Sequence, residues 1–128
     1  MRSKKTPGER QLRVAEEIQR VLALMLIHNN FFIRGLRALY IMLTEVDISS
    51  DLSFARVFVR AIPPVDTAEQ VAILREYKGL FRKEIGRKIR LRIVPDLDFV
   101  ADTRMENANR IEELLNSPKV KADLESKE

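Results

Sequence analysis

Apolar residues at Val14, Ala15, Ile18, Val21, Leu22, Met25 and Leu26 keep the three-and-four spacing of one helical face, and so predict an amphipathic helix. Thr6-Pro7-Gly8-Glu9 supplies its opening and His28-Asn29-Asn30 its end. On its polar side Arg13 stands four residues before Glu17 and Glu16 four before Arg20, spacings at which ion pairs are expected, and Arg10 is left as a candidate phosphate contact. From Leu39 the period changes to two. Leu39, Ile41 and Leu43 share one parity while Val46 and Ile48 take the other, so a bulge near Thr44-Glu45 is expected to restore the register. Ser49-Ser50-Asp51 carries turn chemistry, and the next run sets Ala55, Val57, Val59 and Ala61 against Phe54, Arg56, Phe58 and Arg60. A hairpin follows from that pair of runs, closed by Pro63-Pro64.

Asp66 or Thr67 is placed to cap a helix from Ala68, with Val71, Ile73 and Leu74 as its apolar side. Gly79 interrupts the pattern, and a second helix buries Phe81, Ile85 and Ile89 while Lys83, Arg87 and Arg90 line its outward stripe. In residues 90–102 the residues Leu91, Ile93, Leu97, Phe99 and Ala101 share a parity opposed to Arg92, Asp96 and Asp98, which predicts one strand. Pro95 within it cannot donate to a ladder, so an edge position is expected. Asp102 or Thr103 caps a last helix with Met105, Ala108, Ile111, Leu114 and Leu115 facing inward. The fold class is therefore α+β, with helices on one face of a three-stranded sheet whose third strand lies parallel to the second. Val57, Val59, Ile93 and Phe99 are expected to share a core with Ile18, Leu22, Phe81 and Ile85.

Composition sets the outer limits. The 128 residues are 45% hydrophobic, enough for a single domain expected over residues 10–116, with a flexible N-terminus over 1–9 and a charged, disordered tail over 117–128. There is no cysteine, which excludes disulfides, iron-sulfur clusters and thiol nucleophiles. No apolar stretch approaches a membrane span and no signal-peptide core follows the polar start, so a cytoplasmic protein without a membrane partner is expected.

Charge changes the picture more than composition does. Residues 75–92 hold eight Lys/Arg against Glu76 and Glu84, a local net of +6 in a chain whose total is +4. Such a patch beside a near-neutral body is an electrostatic footprint for phosphate backbones, although a solvated helix face gives the same pattern. Phe54 and Phe58 with Arg56 and Arg60 on one strand face offer a base-stacking platform, or simply the second face of a sheet. His28 is the sole histidine and lacks ligand-spaced partners, so no metal site is expected. Asp96, Asp98 and Asp102 share a parity, but Asp102 is better explained as a cap than as half of an acid/base pair. Gly8, Gly35, Gly79 and Gly86 are too scattered for a phosphate loop, so no nucleotide cofactor is implied.

The quoted residues resemble the bacterial ribosome-binding factor A family across roughly Arg10 to Leu115. The likeness is carried by Arg13-Val-Ala-Glu-Glu-Ile, by the hairpin from Val46 to Val59, by Arg90-Leu-Arg-Ile-Val-Pro-Asp-Leu-Asp-Phe99 with Asp102, and by the Ile111, Leu114, Leu115 helix. It implies a single type II KH-like domain of order α-β-β-α-kink-α-β with a C-terminal helix, lacking the GXXG loop with which other KH domains clamp nucleotides. The family typically has Ala-X-Gly at the kink; this chain has Tyr77-Lys78-Gly79, and Ala108 stands where a glycine is often found. The implied function is to assist late maturation of the 30S small ribosomal subunit by binding 16S rRNA or its precursor, without catalysis, without a cofactor, and in connection with growth in the cold. The implied partners are free or immature 30S subunits rather than full ribosomes, with an assembly GTPase as a further partner and the protein acting as a monomer. On these grounds Arg82, Lys83, Arg87, Lys88, Arg90 and Arg92 are the expected phosphate ligands, with Lys78 and Gly79 placing the helix. A small-subunit ribosomal protein, another KH-type RNA binder, or a protein-interaction module for an acidic partner remain the alternatives.

Overall fold

A computed structural model describes residues 8–28 and 33–104. Helix α1 spans Glu9–His28, and all seven of its expected apolar positions are buried, Ile18 and Leu22 most completely. Neither Arg13 with Glu17 nor Glu16 with Arg20 forms an ion pair; Gln11 and Gln19 instead donate to the Ile48 and Leu43 carbonyls at 3.1 and 2.8 Å. A short 3-10 turn over Ala38–Tyr40 takes Leu39 out of the first strand and leaves it 83% exposed, a correction to the alternation that began there.

Strands β1 (Ile41–Ile48) and β2 (Phe54–Ala61) form the antiparallel hairpin, and their register shifts between Leu43 and Glu45. Thr44 is the extra residue, as the switch of parity requires. Strict alternation along β2 buries Ala55, Val57, Val59 and Ala61 and turns Phe54, Arg56, Phe58 and Arg60 to the other side. Helix α2 (Thr67–Glu76) follows, with Asp66 at its N-cap position. The Asp66 side chain makes no capping bond; Thr67 is already helical, and its hydroxyl accepts the Ala61 N–H at 3.0 Å, tying the helix start to the strand end.

Tyr77, at φ −104 and ψ 20, separates α2 from α3 (Lys78–Lys88). The interruption thus falls at Tyr77 and not at Gly79, which lies inside the first turn of α3 with nothing within 4 Å of where a Cβ would stand. Phe81, Ile85 and Ile89 are buried, and Phe81 meets Phe99 edge to face with centroids 5.5 Å apart.

The last strand is shorter than its sequence pattern. β3 runs only over Asp96–Ala101, parallel to β2, at the edge of a sheet ordered β1-β2-β3. Pro95 is buried just before it, Leu97 and Phe99 enter the core, and Ile93 is 68% exposed. Counting parity through a proline carried the strand too far, since the ladder can start only where N–H donors resume. The helices cover one sheet face and share a single hydrophobic core with the inward residues of all three strands. The α-β-β-α-α-β order agrees with the KH-like architecture expected from the sequence. The expected final helix and tail, from Met105 onward, lie outside the described residues.

One buried polar residue was not anticipated. Gln70, fully buried on α2, accepts the Arg37 N–H at 2.8 Å and donates to the Gly35 carbonyl at 3.3 Å, latching the segment before β1 onto the helix pair. Gly35, at φ 83, makes the reversal that presents that carbonyl.

Candidate nucleic-acid interface

The cations of residues 75–92 stand in two different environments. On the side of α2 and α3 next to β3 they are engaged. Arg75 donates to the Phe99 carbonyl at 2.7 Å and lies 3.3 Å from Asp98, and Lys78 lies 3.4 Å from Asp96. Arg82 places its guanidinium on two backbone oxygens, Pro95 at 2.9 Å and Val94 at 3.0 Å. These side chains staple the helix pair to the edge strand and supply donors to carbonyls that the chain leaves without ladder partners.

Further along, the cations face solvent. Arg87 at 3.0 Å and Lys88 at 4.0 Å share Glu84, three and four residues back on the same helix. Lys83, Arg90 and Arg92 are exposed and, among the described residues, enter no ion pair. Arg90 lies beyond Ile89, the C-cap of α3, and so leaves the helix rather than completing its stripe. Of the expected site residues, Lys83, Arg87, Lys88, Arg90 and Arg92 therefore form a run from the outward side of α3 into the loop beyond it. Lys78 and Arg82 belong to the β3 junction, and Gly79 leaves space at the start of α3 where a nucleic-acid backbone could approach. Glu84 stands at helical spacing from Arg87 and Lys88, a spacing that yields pairs here but not on α1; the engagement of Arg75, Lys78 and Arg82 needed the position of β3.

On the second face of the sheet, cations of the same chain lie over the aromatic rings. Arg56 lies over the Phe54 ring at 6.0 Å and Arg104 over the Phe58 ring at 5.3 Å, so cations from the same chain take positions a base would need. Arg104 is fixed by a fork onto both oxygens of Asp102, at 2.9 and 2.7 Å, and by Glu45 at 2.8 Å. Asp102 also accepts the Arg104 N–H at 3.1 Å, the bond expected of a cap, and the hydroxyl of the bulge residue Thr44. The Arg104 hydrogen bonds first, and that of Thr44 second, hold the Asp102 carboxyl well below the usual carboxylate range despite its burial. It is an ionised anchor, with no proton to exchange near neutral pH. Among the described residues no three acidic or histidine side chains gather as a metal site, and no helix is long and apolar enough to cross a membrane.

Comparison with known proteins adds to this geometry. Residues 10–115 match the family model described as Ribosome-binding factor A. A curated protein of that name from Paramagnetospirillum magneticum is 41% identical over 124 residues, covering 97% of this chain and 87% of the relative. One from Zymomonas mobilis is 38% identical, covering 98% and 91%. Among solved structures, a Thermotoga maritima protein described as a ribosome binding factor A superposes with a TM-score of 0.64 at 29% identity, over 74% of this chain and 89% of that one. A Thermus thermophilus ribosome binding factor A, fitted as a homology model into a cryo-EM map of its 30S complex, superposes with a TM-score of 0.53 at 21% identity, over 69% and 90%, which supports the fold alone.

Proposed function

This chain belongs to the ribosome-binding factor A family, and from that premise we propose that it is a non-enzymatic, cytoplasmic assembly factor that docks as a monomer on free or immature 30S subunits through 16S rRNA. The observation that carries the reading is the solvent-facing half of the basic segment. Lys83, Arg87, Lys88, Arg90 and Arg92 oppose one nearby carboxylate, Glu84, and are exposed on a helix side and loop that the core does not use. Cations held that way meet phosphates at little conformational cost, and a GXXG clamp is not required when recognition is by charge and shape. Membership of a family described as ribosome-binding factors is what supports a ribosomal partner here, and the Thermus member described in a 30S complex names the subunit to test. Assistance to late maturation, and release by an assembly GTPase, belong to the same reading.

Co-sedimentation tests it. The full chain is expected to travel with free small subunits and not with full ribosomes, and to dissociate as salt rises, because each neutralised phosphate releases counterions. Equal association with full ribosomes would indicate a resident ribosomal protein. Association indifferent to salt would favour a protein partner over rRNA.

A further inference from the structure

Around the start of α1, three separate segments enclose a recess of about 240 Å³. Arg10 comes from the helix, Asp51 and Leu52 from the β1–β2 turn, and Leu91, Arg92 and Ile93 from the connection between α3 and β3. Its rim is cationic: Arg10 and Arg92 are exposed and, among the described residues, enter no ion pair. Its walls are mixed: Ser50, Asp51 and Ser53 form a polar side, Leu52, Leu91 and Ile93 an apolar one, and Ile93 stays 68% exposed instead of joining the adjacent core. Among the described residues this isoleucine, next to Arg92, is left out of the hydrophobic core.

The one carboxylate of the recess is held rigid. Asp51 Oδ1 accepts the Ser49 hydroxyl at 2.8 Å, the Ser53 hydroxyl at 2.7 Å and the Ser53 N–H at 3.1 Å. Those bonds, Ser53 foremost, lower its pKa to about 2, so it is a fixed acceptor at neutral pH whose second oxygen makes no hydrogen bond among the described residues. Leu52, at φ 62, completes the turn and packs its side chain against the core.

We propose that this recess takes one unstacked nucleotide of single-stranded RNA, its phosphates on Arg10 and Arg92, its base face against Leu52, Leu91 and Ile93, and a base amino group donating to Asp51. Unpaired nucleotides offer all three features at once: a phosphate for cations, an apolar ring face and donors on the base edge. A duplex still offers phosphates and groove-edge donors but hides the ring faces that the apolar side of the recess would take. The site rests on the RNA-binding reading above and shares Arg92 with it, but adds a strand-selective contact whose own residues are Arg10, Asp51, Leu52 and Ile93.

The test measures binding of the full chain to a labelled single-stranded RNA oligonucleotide, to a duplex of equal length and to purified small subunits, for wild type, Ile93→Ser and the pair Arg10→Glu with Arg92→Glu. Ile93→Ser removes apolar wall without changing charge, so it is expected to weaken single-strand binding about tenfold, the worth of one base contact, and to leave duplex affinity unaltered. The charge-reversed pair is expected to weaken single-strand binding further, and amide NMR shifts on adding the single strand should centre on Leu52, Ser53, Leu91 and Arg92. Because Ile93, Arg10 and Arg92 are exposed, all variants should melt as wild type does. Unchanged single-strand affinity in both variants, with amide shifts elsewhere, overturns the recess even if small subunits still bind. Wild type that binds the single strand at the recess but ignores small subunits overturns the broader reading and leaves the recess standing. An acidic peptide displacing the RNA from wild type and not from Ile93→Ser would assign the recess to a protein partner and overturn the nucleotide proposal.

Discussion

Residues 75–82 and residues 83–92 are both net basic, three Lys/Arg against Glu76 and five against Glu84, yet they have become different instruments. In the first, Arg75, Lys78 and Arg82 turn toward β3 and bind its carboxylates and carbonyls. In the second, Arg87 and Lys88 share Glu84 while Lys83, Arg90 and Arg92 enter no ion pair among the described residues, and all five face water. What separates them is the edge strand, which brings Asp96, Asp98 and three carbonyls beside the first group and nothing beside the second. Local charge density therefore overstates a nucleic-acid surface wherever a sheet edge runs alongside it. The number to count is unengaged cations, not basic residues.

The sharpest way to break the contrast is to reverse the free half. Lys83→Glu, Arg87→Glu and Arg90→Glu together should weaken association with small subunits by about a hundredfold or more, through lost counterion release and added repulsion. Melting should stay close to wild type, since exposed charges contribute little to stability. A triple variant that binds normally would detach function from the free half altogether. Arg82→Ala should do the opposite. It leaves two carbonyls at the mouth of β3 without their donor and should cost about 1 to 3 kcal/mol in denaturant unfolding, with the salt slope of subunit binding preserved. A slope that falls with Arg82→Ala would place that guanidinium on phosphate and erase the distinction.

The fold itself was largely legible. Alternation along β2 survives in the structure because the inward residues Ala55, Val57 and Val59 are buried in the one core shared with the helices, and the parity switch between Leu43 and Val46 marks a real bulge at Thr44. Periodicity failed where backbone chemistry overrode it: Ile93 keeps strand parity but precedes Pro95, and Leu39 keeps it inside a 3-10 turn. Gln70 was illegible for another reason, since a buried amide is specified by the carbonyl of Gly35 and the N–H of Arg37, more than thirty residues away. The candidate site was half readable. Glu84 stands at helical spacing from Arg87 and Lys88, whereas the diversion of Arg75, Lys78 and Arg82 depends on a parallel pairing that no local pattern encodes.

A smaller effect separates members within the free half. Arg87 divides its charge between Glu84 and solvent, so Arg87→Ala should lower the slope of log affinity against log salt by about one unit or less, the mark of a single phosphate. If the slope is unchanged, Glu84 already neutralises Arg87 in the complex, and Lys83, Arg90 and Arg92 carry the contact.

The smallest expected effect runs in the opposite direction, converting an engaged cation into a free one. Asp96 holds Lys78 at 3.4 Å, and both side chains are about half exposed, so the pair is screened and weakly bound. Asp96→Asn keeps the oxygen that accepts the Leu97 N–H at 3.1 Å while removing the charge, so the strand start should survive with a stability change of about 0.5 kcal/mol or less. Lys78, at the first turn of α3 beside the open space at Gly79, would then be available to a phosphate, and a repelling carboxylate would be gone. Affinity for small subunits at low salt should rise by roughly two- to fivefold, with a slightly steeper salt slope. The same change at Asp98 should do less, because Arg75 stays bound to the Phe99 carbonyl at 2.7 Å whether or not the carboxylate is charged. Tighter binding from Asp96→Asn but not Asp98→Asn would place Lys78 at the margin of the rRNA contact. Equal gains from both would reduce the effect to net charge, and no gain from either would end the contact before the first turn of α3.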